Sequence, residues 1–336
     1  MTSISLSIDT TDDTVILEDG VKPVFIWTGD SVMMGASSEG AGSRAKWTTL
    51  PGIEFPQAPE ERRVYGYYWD RWQDVNGNTL DNTNRTTTTG TGFVWQQLHP
   101  LVGGIAGGDY TTVDGPNNQL HPVWFFAKSI YGMFRRASGE IVEPYFILWT
   151  APNTVSGDSG FIVPQQISWE PGVGTPATIF DNYIVEAINA ITAGGDTAAV
   201  CGMFTNIGTG DINPAADPMT NSTPDNLAVI RRNIEERLAD GQAFPWVQLQ
   251  AYQPANTTSY PPATVRAHKA EFIRFKTLEP SVRLVDWHAE VSTLADGIHP
   301  DIPGIIALGT LLGTEYKKHL KFDAGAAAPL VSTTIS

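Results

Sequence analysis

Pro23-Val-Phe-Ile-Trp-Thr-Gly-Asp-Ser-Val-Met-Met-Gly35 is the stretch that decides the fold. Val24 to Trp27 is an unbroken apolar run, the pattern of a short strand buried on both faces. It stops at Gly29-Asp30-Ser31, residues that end a strand and can begin a helix. A strand turning abruptly into a helix start is the repeating unit of α/β proteins, in which ligands sit beyond the carboxyl ends of the strands. Ser31 therefore stands where a nucleophile is useful, and a helix starting there aims its free N–H groups at whatever Ser31 attacks. Taken alone, Gly-Asp-Ser reads more readily as an Asp/Ser helix cap.

A second stretch, at the other end of the chain, changes that balance. Ala295-Asp296-Gly297-Ile298-His299-Pro300 follows a strand-like run at 282–287 and precedes an apolar helical run beginning at Ile302. Asp and His three residues apart in a tight turn can hydrogen-bond to each other, and Pro300 and Pro303 stiffen the backbone there. A serine hydroxyl needs a base to take its proton, and the base needs an orienting partner. Ser31, His299 and Asp296 fill those roles in that order.

Between the two stretches, from residue 121 onward, strands and helices alternate. Helices are expected at 121–136, 177–191, 224–239, 262–278 and 302–319, and strands at 145–150, 198–205, 244–251 and 282–287. With Val24 to Trp27 this makes five strands joined by helices, which implies a parallel sheet covered on both faces.

The chain resembles the SGNH (GDSL-type) hydrolase superfamily, and within it the branch of sialate O-acetylesterases and acetylxylan esterases. The likeness covers roughly residues 22–315 and rests on Gly29-Asp30-Ser31 as nucleophile block and Asp296-Gly-Ile-His299-Pro300 as acid/base block. Weaker matches lie between, in order: Gly115-Pro116 with the 121–130 segment, the 145–154 segment with Trp169-Glu-Pro171, and the 198–211 segment. The resemblance implies a flavodoxin-like three-layer fold with sheet order 2-1-3-4-5. It also implies that an ester is cleaved through an acyl-serine, with the oxyanion held by the Ser31 N–H, Asn153 and Asn206. The third block departs from the superfamily's Gly-x-Asn-Asp. Here it reads Gly208-Thr209-Gly210-Asp211, with Gly210 where the oxyanion Asn would stand; the resemblance implies Asn206 as the replacement, two residues before Gly208, because the branch carries an amide side chain just before its Gly. The second block reads Pro152-Asn153-Thr154 instead of a Gly-Gly-Thr-like loop. The branch removes acetyl groups from sugars, so the expected partner is an acetylated polysaccharide or oligosaccharide. The triad calls for no cofactor and no metal.

Three regions surround this frame: residues 1–20, the hydrolase domain at 21–320 with an insertion at about 36–119, and a small polar tail at 321–336. In 1–20, alternating Ile4, Leu6, Ile8, Val15 and Leu17 suggest one or two strands outside the main fold, an edge hairpin or an attachment arm. The insertion is rich in Gly, Thr and Asn and carries Tyr65, Tyr67, Tyr68, Trp69, Trp72 and Trp95. Aromatic faces suit stacking on sugar rings, which makes Trp69, Trp72 and Trp95 candidate substrate contacts. The 65/67/69 alternation reads rather more as one face of a small β core. His121, His268 and Cys201 read as structural, Asp30 as a helix cap, and His99 and Asp109 as loop residues. A metal reading of Asp286 and His288 with Asp296 and His299 yields to the triad.

Composition sets the outer bounds. The chain has 336 residues, 41% hydrophobic and 17% charged, with a formal net charge of −15. That charge argues against nucleic acid or an anionic membrane held by a broad basic surface, and an acidic polysaccharide would need local Arg or Lys. A single cysteine allows no internal disulfide. No run approaches the roughly 18 apolar residues of a membrane span, and no signal peptide is legible. A cytoplasmic location and a virion or extracellular one reached by another route both stay open, as do a homo-oligomer and attachment to a larger particle through residues 1–20. Two alternatives to the acetylesterase remain: a lipase or thioesterase on longer acyl chains, and a non-catalytic carbohydrate-binding or virion spike module.

Overall fold

The structure is a computed structural model, which describes residues 6–9, 14–29, 32–33, 64–69, 93–97, 121–150, 175–207, 223–237, 244–250, 261–293 and 299–325. Its centre is the strand β3, Val21–Gly29, which takes in the apolar run and extends it at both ends. Val24, Phe25, Ile26 and Trp27 are all fully buried, as expected of a central parallel strand with helices on both faces.

Four further parallel strands flank it: β7 (Tyr145–Thr150) on one side, and β8 (Thr197–Asn206), β9 (Trp246–Leu249) and β10 (Val282–Val285) in succession on the other. Counted in chain order these five run 2-1-3-4-5. The sheet is wider than five strands, however. β4 (Tyr65–Trp69) pairs parallel with β7, and β5 (Phe93–Gln97) pairs antiparallel with β4, giving a seven-stranded sheet. The insertion thus lends a hairpin to the main sheet where the sequence suggested a separate small β core. The open edge of β7 offers unpaired backbone groups, which a two-stranded extension satisfies and blunts.

Two helices cover one face, α1 (Pro122–Ser129) and α5 (Ile302–Gly325). Their core gathers around Phe25, whose ring lies 5.3 Å from those of Phe126 and Tyr316 and 5.6 Å from that of Phe146. The two helices cross closely: a Cβ on Gly309 would stand 2.3 Å from the carbonyl oxygen of Pro122. The other face carries α2 (Thr175–Ala193), α3 (Thr223–Arg237) and α4 (Pro262–Leu278), which bury Ile184, Leu227, Ile230, Phe272 and Phe275 against Val24, Ile26 and Met203.

One helix is shorter than its periodicity suggested. α1 ends at Ser129, the chain turns with Met133 N–H donating to Ile130 O at 3.0 Å, and residues 134–136 form a strand, β6 (Phe134–Arg136). β6 lies parallel to β2 (Thr14–Leu17), itself antiparallel to β1 (Leu6–Asp9), in a separate three-stranded sheet. Strand pairing overrides the apolar spacing that mimicked a further helical turn. Val15 and Leu17 are buried with Phe134 in the Phe25 core, so residues 14–17 are part of the fold's interior.

Candidate active site at the carboxyl ends of the parallel strands

β3 and β8 run in register to their ends, where Gly29 is opposite Asn206. Gly29 has φ +136°, and a Cβ there would lie 2.7 Å from both the N and the O of Asn206. Only glycine lets the two strand ends touch in this way. Beyond Gly29 the chain is anchored again at once: Val32 and Met33 are buried, and Trp27 Nε1–H donates to Met33 O at 3.0 Å. Asp30 and Ser31, between these anchors, lie outside the described residues.

His299 is half-buried and leads, through Pro300 and Asp301, into α5. The segment that carries it is pinched at its base. Thr293 and Pro300 form an isolated antiparallel bridge, and Asp301 N–H donates to Ser292 O at 3.2 Å. The Asp301 carboxylate accepts from the Ser292 hydroxyl at 2.5 Å and from Gly304 N–H at 2.8 Å, satisfying a free amide of the first turn of α5. Asp296 falls within 294–298, outside the described residues, and so do Asn153 and Trp72.

Asn206 is described and 2% exposed. Strand alternation places its side chain on the α1/α5 face, because its neighbours Thr205 and Ile207 face the opposite layer. It therefore shares a face with the start of α5, to which His299 leads. For Trp69 the strand is described but not the side chain. Trp95 is half-buried, its indole N–H donating to Ala187 O at 3.0 Å and its ring 5.3 Å from that of Tyr145.

The structure also shows a group of buried polar side chains that sequence reasoning passed over. Trp246 Nε1–H donates to Thr205 Oγ1 at 2.5 Å. Thr205 Oγ1–H donates to Gln248 Oε1 at 2.5 Å. Gln248 Nε2 donates to Ile207 O at 3.2 Å and Leu249 O at 2.8 Å. Thr28, the register partner of Thr205 on β3, is fully buried, and its hydroxyl has no partner among the described residues. The available signal was Gln248 itself, an amide inside the apolar run Trp246-Val-Gln-Leu249.

The remaining candidates have structural surroundings. His121 is buried at the start of α1, where its Nδ1 accepts from Val123 N–H at 3.1 Å. Burial pushes its pKa down to about 3, so the ring is neutral. Cys201 is a buried core thiol pushed up to about 12 by burial, which excludes a thiolate nucleophile near neutral pH. Asp286 pairs with Lys269 at 3.6 Å. Among the described residues no group of His, Cys, Asp or Glu could hold a metal ion, and no helix is long and apolar enough to cross a membrane.

No protein-family model matches the chain, and no curated protein matches it in sequence. Solved structures do match. NanS superposes with a TM-score of 0.54 at 11% identity, covering 92% of this chain and all of its own (100%). An aryl esterase of M. smegmatis gives 0.42 at 10% identity, covering 88% of this chain and 99% of that one. Est24, a carbohydrate acetylesterase from Sinorhizobium meliloti, gives 0.41 at 7% identity, with 88% and 98% covered. At such identities the likeness to NanS is one of fold. Together with the 2-1-3-4-5 order of the parallel strands, it gives this chain a flavodoxin-like three-layer α/β fold.

Proposed function

We propose that this protein is a serine esterase that removes O-acetyl groups from a carbohydrate. One observation carries the reading. The flank of the nucleophile block, Gly29, is seamed to Asn206, and Asn206 shares a sheet face with the helix to which His299 leads. The two described segments that flank these proposed blocks thus meet at the carboxyl edge of the sheet, which supports the reading of Ser31 as nucleophile and Asn206 as oxyanion donor.

In the mechanism, His299 takes the proton of Ser31 as its Oγ attacks the acetyl carbonyl, and Asp296 holds the imidazole tautomer and stabilises the imidazolium. The oxyanion is received by the Ser31 backbone N–H and by the Asn153 and Asn206 amides, each donor contributing on the order of 3 kcal/mol. Collapse breaks the ester C–O bond, and the proton on His299 passes to the leaving sugar hydroxyl. Water, deprotonated by His299, then attacks the acetyl-Ser31 carbonyl, and acetate leaves as Ser31 regains its proton.

The test is a p-nitrophenyl ester series from acetate to octanoate, run with wild type and Ser31→Ala. Turnover that is fastest on acetate and lost in Ser31→Ala supports the proposal. A preference for octanoate replaces it with a lipase or thioesterase, and no turnover leaves a non-catalytic carbohydrate-binding module. Release of acetate from an acetylated oligosaccharide then tests the sugar half of the claim.

A further inference from the structure

At its carboxyl end β8 is laddered unequally. On the β3 side the register runs to Asn206. On the β9 side it stops one residue earlier, at the pair Thr205–Gln248. Beyond that pair, among the described residues, what joins β8 to β9 is a side chain. The Gln248 amide donates to Ile207 O at the end of the β8 run and to Leu249 O on β9, so one NH₂ group bridges carbonyls of adjacent strands.

The orientation of this amide is fixed by elimination. An indole N–H can only donate, so Trp246 commits the Thr205 oxygen to accepting and directs the Thr205 proton outward. The group it meets, Gln248 Oε1, must then be the acceptor. That leaves the NH₂ facing two carbonyls, which can only accept. Trp246, Thr205, Gln248 and Ile207 are all fully buried. Burial shields these groups from solvent, and reversing the amide would leave several of them unpaired, at roughly 1–3 kcal/mol each.

We propose that Gln248 is a positioning residue of the esterase site: by stapling the Ile207 carbonyl to β9 it fixes the backbone of Ile207, the residue that directly follows Asn206, and so the direction in which Asn206 presents its amide to the oxyanion. The inference rests on the reading of Asn206 as an oxyanion donor. Thr205 and Trp246 orient the staple, and Gly29 closes the other side of Asn206.

A double-mutant cycle on p-nitrophenyl acetate hydrolysis tests it. Gln248→Met should lower kcat about tenfold to thirtyfold with KM changed by less than about twofold, because a misplaced catalytic donor costs rate more than binding. In an Asn206→Ala background the same change should cost less than about twofold further. Equal losses in both backgrounds, or an unchanged kcat in the single variant, would overturn the proposal, since a merely structural glutamine is indifferent to Asn206. Thr205→Val, which removes only the orienting hydroxyl, should move kcat the same way by about threefold, and it serves if Gln248→Met does not fold. Hydrogen exchange supplies a readout independent of turnover. In the Gln248 or Thr205 variant the Asn206 and Ile207 backbone amides should exchange about tenfold faster while those of β10 stay unchanged. Unchanged exchange overturns the staple. Wild type without Ser31-dependent turnover overturns the esterase reading instead, and the exchange data then still decide whether the staple exists.

Discussion

The two edges of the parallel sheet hold their buried polar groups in different ways. At the amino ends of β9 and β10 the bonds are charge-assisted. Arg231, 2% exposed, reaches Glu235 at 2.7 Å and Phe244 O at 3.1 Å, and it also bonds the Ser281 hydroxyl. Arg283 and Lys318 converge on Glu315 at 3.1 and 2.7 Å. At the carboxyl ends the described buried polar groups are neutral: Thr28, Thr205, Asn206 and Gln248, with His121 held neutral by burial nearby. Charged bonds are the stronger kind and fasten an edge firmly. Neutral donors in a dry setting fix direction, which is what stabilising a developing oxyanion requires. One edge is therefore built as a fastening, and the other has the character that the proposed site requires.

The contrast is broken most severely at Gly29. Gly29→Ala must place a methyl group 2.7 Å from the Asn206 backbone at φ +136°, and we expect a loss of about 4–5 kcal/mol in stability together with all esterase activity, read by denaturant unfolding and p-nitrophenyl acetate turnover.

Next comes acid. His121 has its folded pKa near 3, below the unfolded value of 6.5, so the unfolded chain binds the extra proton first. Stability is complete above about pH 6.5 and falls as pH drops toward 3, by roughly 4 kcal/mol if His121 alone is counted. His121→Asn, which can still cap α1, should flatten this part of the stability–pH curve.

At the opposite edge, Arg231→Met strips a buried cation from its carboxylate and should cost about 3 kcal/mol, while kcat per folded molecule stays within about twofold of wild type. A collapse of kcat in the folded variant would abolish the division between fastening and site. Smallest of all is Lys22→Met. Its pair with Asp196, 3.5 Å apart on partly exposed side chains, should be worth less than about 1 kcal/mol by thermal unfolding.

Much of the frame was legible in the sequence because apolar periodicity reports burial directly. Val24 to Trp27 announced the central strand, and 262–278 was read to its true ends as Pro262–Leu278. The strand at 134–136 was hidden because Met133, Phe134 and the preceding helix share a spacing compatible with one more helical turn. The union of β4 and β5 with the main sheet was hidden because strand partners across long insertions leave no local mark. Of the proposed site residues, His299 stands out by residue type and place, and Asn206 through the resemblance. Gln248 is marked in the sequence only as an amide inside an apolar run, and that becomes meaningful only when its partners are known to lie on a neighbouring strand. Ser31, Asp296, Asn153 and Trp72 remain readings from sequence, outside the described residues.

The most direct test of the central claim is covalent. Wild-type protein treated with a fluorophosphonate and mapped by peptide mass spectrometry should carry a single adduct on Ser31, and His299→Ala should slow its formation by at least about a hundredfold. An adduct on another residue, or none at all, would contradict the account.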